Sequence, residues 1–148
     1  PLGHDQWTQF YNHYTVIGAK INVVFQNTTA RSGYVSVALR ASSTGTTDPR
    51  LLWESPDTGY APIPGVLSTG ALPVRRMSKR YRPKQFHGVK DLIASQLHAT
   101  VGNDPIENAY FHIVTCPAVV TDVAPTVYCQ VSITYTVKLT EPKVLALS

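Results

Sequence analysis

The chain has 148 residues and a mass of 16.2 kDa, which fits a single domain spanning residues 1–148. A hydrophobic fraction of 43% excludes intrinsic disorder, and no apolar run approaches the ~18 residues of a membrane-spanning helix. Charged residues make up only 15%, against about 25% in a typical soluble domain, so uncharged polar side chains or another subunit must cover the surface. A compact monomer of this mass has a solvent-accessible surface of roughly 7,500 Å².

The first predicted element is a short helix over residues 5–14. Asp5 is a favourable N-cap, and four aromatic residues follow at the i, i+3, i+4 and i+7 spacing of one helical face. These aromatic residues are Trp7, Phe10, Tyr11 and Tyr14. Such a stripe is more typical of packing in a core or an interface than of ligand binding.

Beyond the helix the apolar period changes from 3.6 to 2, which predicts strands at Thr15–Asn27, Tyr34–Arg40 and Val127–Leu139. The last strand alternates without a break over its whole length, and its apolar face is expected to point towards the core. That face comprises Val127, Cys129, Val131, Ile133, Tyr135, Val137 and Leu139. Weaker alternation indicates strands at Leu72–Tyr81, Lys84–Val89 and Ala109–Cys116.

Two stretches, Ala41–Gly70 and Pro117–Pro125, have no such periodicity. The first contains four prolines and four glycines, and a loop of this length in a compact domain is usually functional or part of an interface. Long strands with one polar face, joined by long loops, are typical of an all-β protein. We therefore predict a single jelly-roll β-sandwich with a short N-terminal helix and long loops.

Catalytic constellations are absent from the sequence. The five histidines form no His-Glu-x-x-His motif, and there is no Gly-x-Ser-x-Gly elbow or phosphate-binding glycine loop. The two cysteines, Cys116 and Cys129, lack the spacing of a zinc site. Because they fall on different phases of their strands, we expect two free thiols. The sequence therefore predicts a protein that is not an enzyme and has no catalytic residues, metal site or cofactor.

Basic residues are concentrated in one stretch. The segment between Asp57 and Asp91 contains no acidic residue but holds seven of the 13 lysines and arginines. Such a cluster is typical of binding to a polyanion, because neutralised phosphates release condensed counterions. The alternative is a solvated strand edge kept basic against aggregation. The candidate nucleic-acid-binding residues are Arg75, Arg76, Lys79, Arg80, Arg82 and Lys84.

Three stretches carry a family resemblance when they are taken together. Residues 1–27 begin Pro-Leu-Gly-His-Asp-Gln-Trp and continue with Tyr-Thr-Val-Ile-Gly-Ala-Lys-Ile into a predicted strand. Lys84–Asp91 reads Lys-Gln-Phe-His-Gly-Val-Lys-Asp, and Pro105–Ile113 fits Pro-x-x-x-x-Tyr-Phe-x-Ile. This set resembles the capsid proteins of circovirus-like, Rep-encoding single-stranded DNA viruses. In that group the first stretch reads Pro-x-Gly-x-Asp-x-Trp and Tyr-x-Val-x-Gly-Ser-x-Ile, so Ala19 stands where serine is usual.

The resemblance implies a structural protein that self-assembles into a T=1 icosahedral shell of sixty copies around a circular single-stranded DNA genome. In this family an arginine-rich arm and the first jelly-roll strand precede the helix. The chain is therefore expected to be the retained part of a longer protein, whose arm carries DNA packaging and nuclear import. The virion, with assembly in the host nucleus, is the implied location, and an unidentified host attachment factor is an expected partner.

Large aromatic residues dominate the contacts between subunits, so Trp7, Trp53 and Tyr60 are candidate interface anchors. The alternative for each is packing in the core, which is favoured for Trp7. Two other functions remain open at this point. One is a soluble jelly-roll binding module, lectin-like or trimeric; the other is the capsid protein of a small RNA virus. The basic stretch could equally face the genome, cross a subunit interface or bind an anionic attachment factor.

Overall fold

The computed structural model describes residues 4–45, 53–55, 57–67, 70, 72–92, 96–119 and 121–144. Most of these residues lie in β-strands and very few in helices, which confirms the all-β class. The elements in chain order are α1 (His4–Trp7), β1 (Tyr11–Asn27), β2 (Gly33–Arg40), β3 (Thr58–Ile63), β4 (Val74–Tyr81), α2 (Pro83–His87), β5 (His98–Thr100), β6 (Tyr110–Pro117) and β7 (Val127–Pro142).

The strands form two sheets. In one sheet β2 lies between β3 and β6, and both of its neighbours run antiparallel to it. Val35 of β2, for example, pairs with Ala61 on one side and Thr115 on the other. In the other sheet β1 lies between β4 and β5 and also pairs with β7. The long strand β1 therefore organises its whole sheet.

The residue contacts divide the chain into two compact units, each built from separate segments. Unit 1 consists of Pro1–Lys20, Arg80–Asn108 and Thr134–Ser148. Unit 2 consists of Ile21–Lys79 and Ala109–Ile133. Strands β1, β4 and β7 each contribute residues to both units.

Unit 2 contains the main hydrophobic core. Alternate β1 residues, Ile21, Val23 and Phe25, pack against Val35 and Val37 of β2 with at most 1% of each exposed. The core also takes in Ile63, and Met77, Phe111, Ile113 and Val127 pack around it. Burying a side chain of this kind contributes about 1.5–3 kcal/mol. The alternation in residues 15–27 and 34–40 thus located these two strands correctly.

The N-terminal helix is shorter than predicted. It ends at Trp7, and the chain is already extended from Tyr11, so Tyr11 and Tyr14 lie in β1 rather than on a helical stripe. The reason is pairing with β5, in which His13 lies opposite Thr100 and Thr15 opposite His98. This tertiary pairing overrides the helical spacing of the aromatic residues.

The predicted strand at residues 84–89 is wrong, because Pro83–His87 forms α2. Pro83 occupies the start of the helix, where its missing N–H has no helical partner to lose. Gly88 ends it in the left-handed conformation, with φ of 68°. A proline at the start and a glycine just past the end form a helix signature that the alternation concealed.

Strand β3 lies within the stretch predicted to be irregular. Tyr34 of β2 pairs with Pro62 of β3, and Pro62 fits there because β3 is an edge strand that leaves one row of N–H groups unpaired. The three-residue strand β5 was also missed, since nothing in so short a segment produces a detectable period. The remaining weak predictions, at residues 72–81 and 109–116, match β4 and β6.

Candidate nucleic-acid and assembly surfaces

The candidate nucleic-acid-binding residues lie on β4 and at the start of α2. Along β4 the more buried residues are Met77, Lys79 and Tyr81, whereas Arg76, Ser78 and Arg80 alternate with them and are exposed. This is the alternation of a strand with one face towards the protein and one towards solvent. Arg75, Arg76 and Lys79 belong to unit 2, and Arg80, Arg82 and Lys84 belong to unit 1.

In unit 2 the protein itself engages two of the three cations. The Arg75 Nε–H donates a hydrogen bond of 2.8 Å to the carbonyl oxygen of Pro62. The Lys79 ammonium lies 3.5 Å from a carboxylate oxygen of Asp57, and the Asp57 side chain is half exposed. An exposed pair of this kind contributes about 0.2–1 kcal/mol. Among the described residues Arg76 has neither an ion pair nor a side-chain hydrogen bond, so it is the unit 2 cation best placed to meet an external anion.

In unit 1 all three cations are exposed. Arg82 precedes α2 in an extended conformation, and its carbonyl oxygen accepts hydrogen bonds from the amides of Gln85 and Phe86. Its guanidinium, like the charged groups of Arg80 and Lys84, has no acidic partner among the described residues. The sequence between Asp57 and Asp91 likewise contains no carboxylate.

The aromatic candidates Trp53 and Tyr60 lie together in unit 2. Their rings stack with centroids 5.1 Å apart, and the Tyr34 ring lies 5.1 Å from Trp53 on a tilted plane. Tyr60 pairs with Ser36 across β2 and β3, on the side opposite the core residues of β2, and Ser36 is nevertheless buried. Trp53 is half-buried and Tyr60 remains 54% exposed. Tyr60 therefore has an exposed aromatic ring that stacks on the half-buried Trp53.

Trp7 lies apart from that pair, in unit 1, at the end of α1. Its side chain is 58% exposed and that of Phe10 is 46% exposed, so the core position favoured for Trp7 is wrong. The segment after α1 is held by Lys143, whose amide donates to the Phe10 carbonyl and whose ammonium donates to the Thr8 carbonyl. Trp7 is thus an exposed aromatic residue on an anchored segment.

Strand β7 differs most from its sequence-based prediction. Its apolar face was expected to be buried, yet Val131, Ile133 and Tyr135 are each about 40% exposed, and Cys129 is exposed as well. Cys116, by contrast, is buried, which reverses the expected placement of the two thiols. Burial of part of its surface still raises the pKa of the Cys129 thiol. The alternation of apolar residues along a strand identifies an apolar face. It does not indicate whether the same chain or another chain covers that face.

Unit 1 contains a network of ionisable side chains that the sequence did not reveal. His87 Nδ1 lies 3.3 Å from a Glu107 carboxylate oxygen, and His87 Nε2 lies 3.0 Å from the Tyr81 hydroxyl. Because a carboxylate only accepts, Nδ1 carries the proton of the neutral ring and Nε2 accepts from Tyr81. Burial, and then the negative charge of Glu107, raise the pKa of Tyr81. Glu107 is distant in sequence from Tyr81 and His87, so no local pattern links it to them.

The described part of the chain contains no cluster of three or more histidine, cysteine, aspartate or glutamate side chains suited to holding a metal ion. Within those same residues, no helix has the length and apolar character needed to cross a membrane.

No protein-family model matches this chain, and no curated protein matches it at a significant level. The resemblance to circovirus-like capsid proteins therefore depends on the three sequence stretches alone.

Proposed function

We propose that this chain is the structural subunit of a small icosahedral virus capsid. In this proposal the chain is a single jelly roll that assembles, as sixty copies in a T=1 shell, around a circular single-stranded DNA genome. The observation that carries the proposal is the apolar face of β7, on which four successive alternate positions, Cys129 to Tyr135, are all exposed in the isolated chain. Aliphatic and aromatic side chains repeated along a strand are normally covered by other protein.

The composition and the exposed aromatic residues support the same conclusion. Only 15% of the residues are charged, so much of the surface is uncharged and suited to burial between subunits. Trp7 and Tyr60, two of the three aromatic anchor candidates, are more than half exposed.

The jelly-roll part of the proposal is supported by the packing within unit 2. There Ile21, Val23 and Phe25 of one antiparallel sheet pack onto Val35 and Val37 of the other. Two antiparallel sheets that bury their facing sides against each other form the basic arrangement of a β-sandwich, of which the jelly roll is one form.

The single-stranded DNA part of the proposal is supported by the exposed cations of the basic stretch. Contacts from arginine and lysine to phosphate are independent of sequence, as packaging of a whole genome requires. Arg80, Arg82 and Lys84 in unit 1 meet this need because no described carboxylate neutralises them.

Assembly is tested by expressing the full-length protein and examining it by sedimentation velocity and negative-stain electron microscopy. Val131→Lys places a charge on the apolar face of β7, whereas Ser132→Lys places the same charge on its other face. We expect particles from the wild type and from Ser132→Lys, and only small species from Val131→Lys with its secondary structure retained by circular dichroism. A wild-type protein that stays monomeric in all salt and pH conditions would refute the proposal.

The genome assignment is tested on the particles themselves. Charge reversal at Arg80 and Arg82 is expected to reduce the packaged nucleic acid, read from the 260/280 nm absorbance ratio, without abolishing the fold. Digestion of the extracted nucleic acid by DNase but not by RNase distinguishes a DNA capsid from that of a small RNA virus. Unchanged packaging in the double variant would assign these arginines to an interface or to the exterior instead.

A further inference from the structure

Two histidine rings stack where β5 joins β1 in unit 1. His13 of β1 and His98 of β5 have ring centroids 4.7 Å apart and planes inclined by 22°. The strand register explains this, because His13 lies opposite Thr100 and His98 lies opposite Thr15. His13 and His98 are therefore diagonal neighbours on one face of an antiparallel ladder, within reach of each other.

One nitrogen of each ring contacts a side chain on another strand. His13 Nε2 lies 3.1 Å from a carboxylate oxygen of Glu141, near the end of β7, while the buried His13 Nδ1 has no hydrogen-bond partner among the described residues. His98 Nδ1 lies 3.0 Å from the Thr15 hydroxyl oxygen, and Thr15 is completely buried. With both rings neutral, these bonds and the stacking are mutually compatible.

The other charged and titratable groups of this region do not compensate the pair. Asp104 acts on Tyr14, whose pKa is raised by burial and then by that carboxylate, and the Tyr14 hydroxyl donates to the Asn103 carbonyl. The Lys143 ammonium donates to the Thr8 carbonyl. Glu141 is thus the one carboxylate among the described residues that contacts either ring, and it contacts only His13.

We propose that the stacked His13–His98 pair is an acid-sensitive clasp that holds β5 on β1 and releases it when both rings take up a proton. Histidine is the side chain whose ordinary change of charge falls in the mildly acidic to neutral range. Glu141 balances a first charge on His13, but a second charge on His98 faces that cation at 4.7 Å. At an effective dielectric constant of about 20 this repulsion disfavours the closed state by up to roughly 400-fold.

The clasp can open locally because β5 is a three-residue strand at the edge of its sheet. The next residue, Val101, donates its amide to the Asn12 carbonyl at 2.8 Å. Opening would expose Leu97 and Ala99, which are 3% and 5% exposed in the closed state. Local openings of this kind occur below the free energy of global unfolding. The inference concerns unit 1 alone and does not depend on the proposed capsid function.

Amide hydrogen exchange measured by NMR on the full-length protein tests this clasp. The reporter is the Val101 amide, and the reference is the Val66 amide, which donates to the Thr29 carbonyl in unit 2. After correction for intrinsic exchange rates, we expect the protection of Val101 to fall 10- to 100-fold between pH 7.5 and pH 5.0. The protection of Val66 should change less than threefold. Equal changes at the two amides would overturn the proposal.

Variants assign the effect to the pair. His13→Phe keeps an aromatic ring for stacking but carries no charge. In this variant the protection of the Val101 amide should fall less than threefold between pH 7.5 and pH 5.0. His112→Gln is the matched control in unit 2 and should leave the fall unchanged. Glu141→Gln removes the carboxylate that favours a proton on His13, so the release should move to lower pH. If His13→Phe does not fold, His98→Gln replaces it. If the protection of Val101 falls as much in the variant that folds as in the wild type, the clasp is contradicted.

Discussion

The two compact units of this protein differ in two features: unit 2 contains the hydrophobic core cluster, and unit 1 contains the ion pairs of histidine found among the described residues. In unit 2 the side chains of Phe25, Val35 and Ile63 are completely buried in an aliphatic and aromatic cluster that contains no titratable group. In unit 1 the named contacts are largely polar, and they include the pairs His13–Glu141 and His87–Glu107. Its buried apolar residues are Ala19, Tyr81, Leu92, Leu97 and Ala99.

This difference separates the source of stability from the source of sensitivity to pH. Burial of apolar area is almost independent of pH, whereas a contact that involves an imidazole changes whenever the ring is protonated. We therefore expect acid to loosen contacts in unit 1 first and to leave the unit 2 core packed. Substitutions that affect one unit more than the other are the sharpest way to examine this expectation.

The largest expected effect comes from the unit 2 core. Phe25→Ala removes a completely buried ring from between Ile21, Val23 and the β2 residues, and it leaves a cavity. Substitutions of this kind lower the free energy of unfolding by about 3–5 kcal/mol. Urea denaturation followed by circular dichroism measures the change.

Phe10→Ala is the matched control for that substitution, because Phe10 is 46% exposed and leaves no comparable cavity. It should lower the free energy of unfolding by less than about 1 kcal/mol. If the two variants were equally destabilised, the cluster around Phe25 would not be the dominant core, and the distinction between the units would fail.

The sequence predicted the strands well where one face of a strand is buried in the same chain. The alternation from Thr15 to Asn27 located β1 because Ile21, Val23 and Phe25 do face a core. It failed at residues 84–89, where Pro83 and Gly88 determine a helix regardless of the side-chain period. It also failed for β3, whose single proline, Pro62, is tolerated because the strand lies at a sheet edge.

The candidate surfaces were harder to predict than the strands. The sequence identified the cations of the basic stretch, but only the fold shows that Arg75 and Lys79 are engaged by Pro62 and Asp57. It also singled out Trp53 and Tyr60 as candidate interface anchors, without indicating that they stack on each other. The histidine contacts were not predictable at all, because pairs such as His13–Glu141 join residues that are distant in sequence.

The smallest expected effect comes from a substitution at a titratable contact of unit 1, and its consequence is measured at alkaline pH. Tyr81→Phe removes the hydrogen bond to His87 Nε2, which should lower the free energy of unfolding at pH 7 by about 0.5–1.5 kcal/mol. The pKa of Tyr81 is raised in the folded state by burial and by Glu107, so its contribution is complete below pH 10, the ordinary tyrosine value, and is lost as the pH rises further.

The variant should therefore lose stability less steeply than the wild type above pH 10, although not without any slope, because the pKa of Tyr14 in the same unit is raised as well. Urea midpoints at pH 7, 9 and 10.5 provide the measurement. Tyr60→Phe, which removes an exposed hydroxyl from unit 2, should leave both the stability at pH 7 and the alkaline slope within error of the wild type. A Tyr81→Phe profile parallel to that of the wild type would show that the Tyr81 hydroxyl is not coupled to folding, because a phenol whose pKa differs between the folded and unfolded states must change that slope.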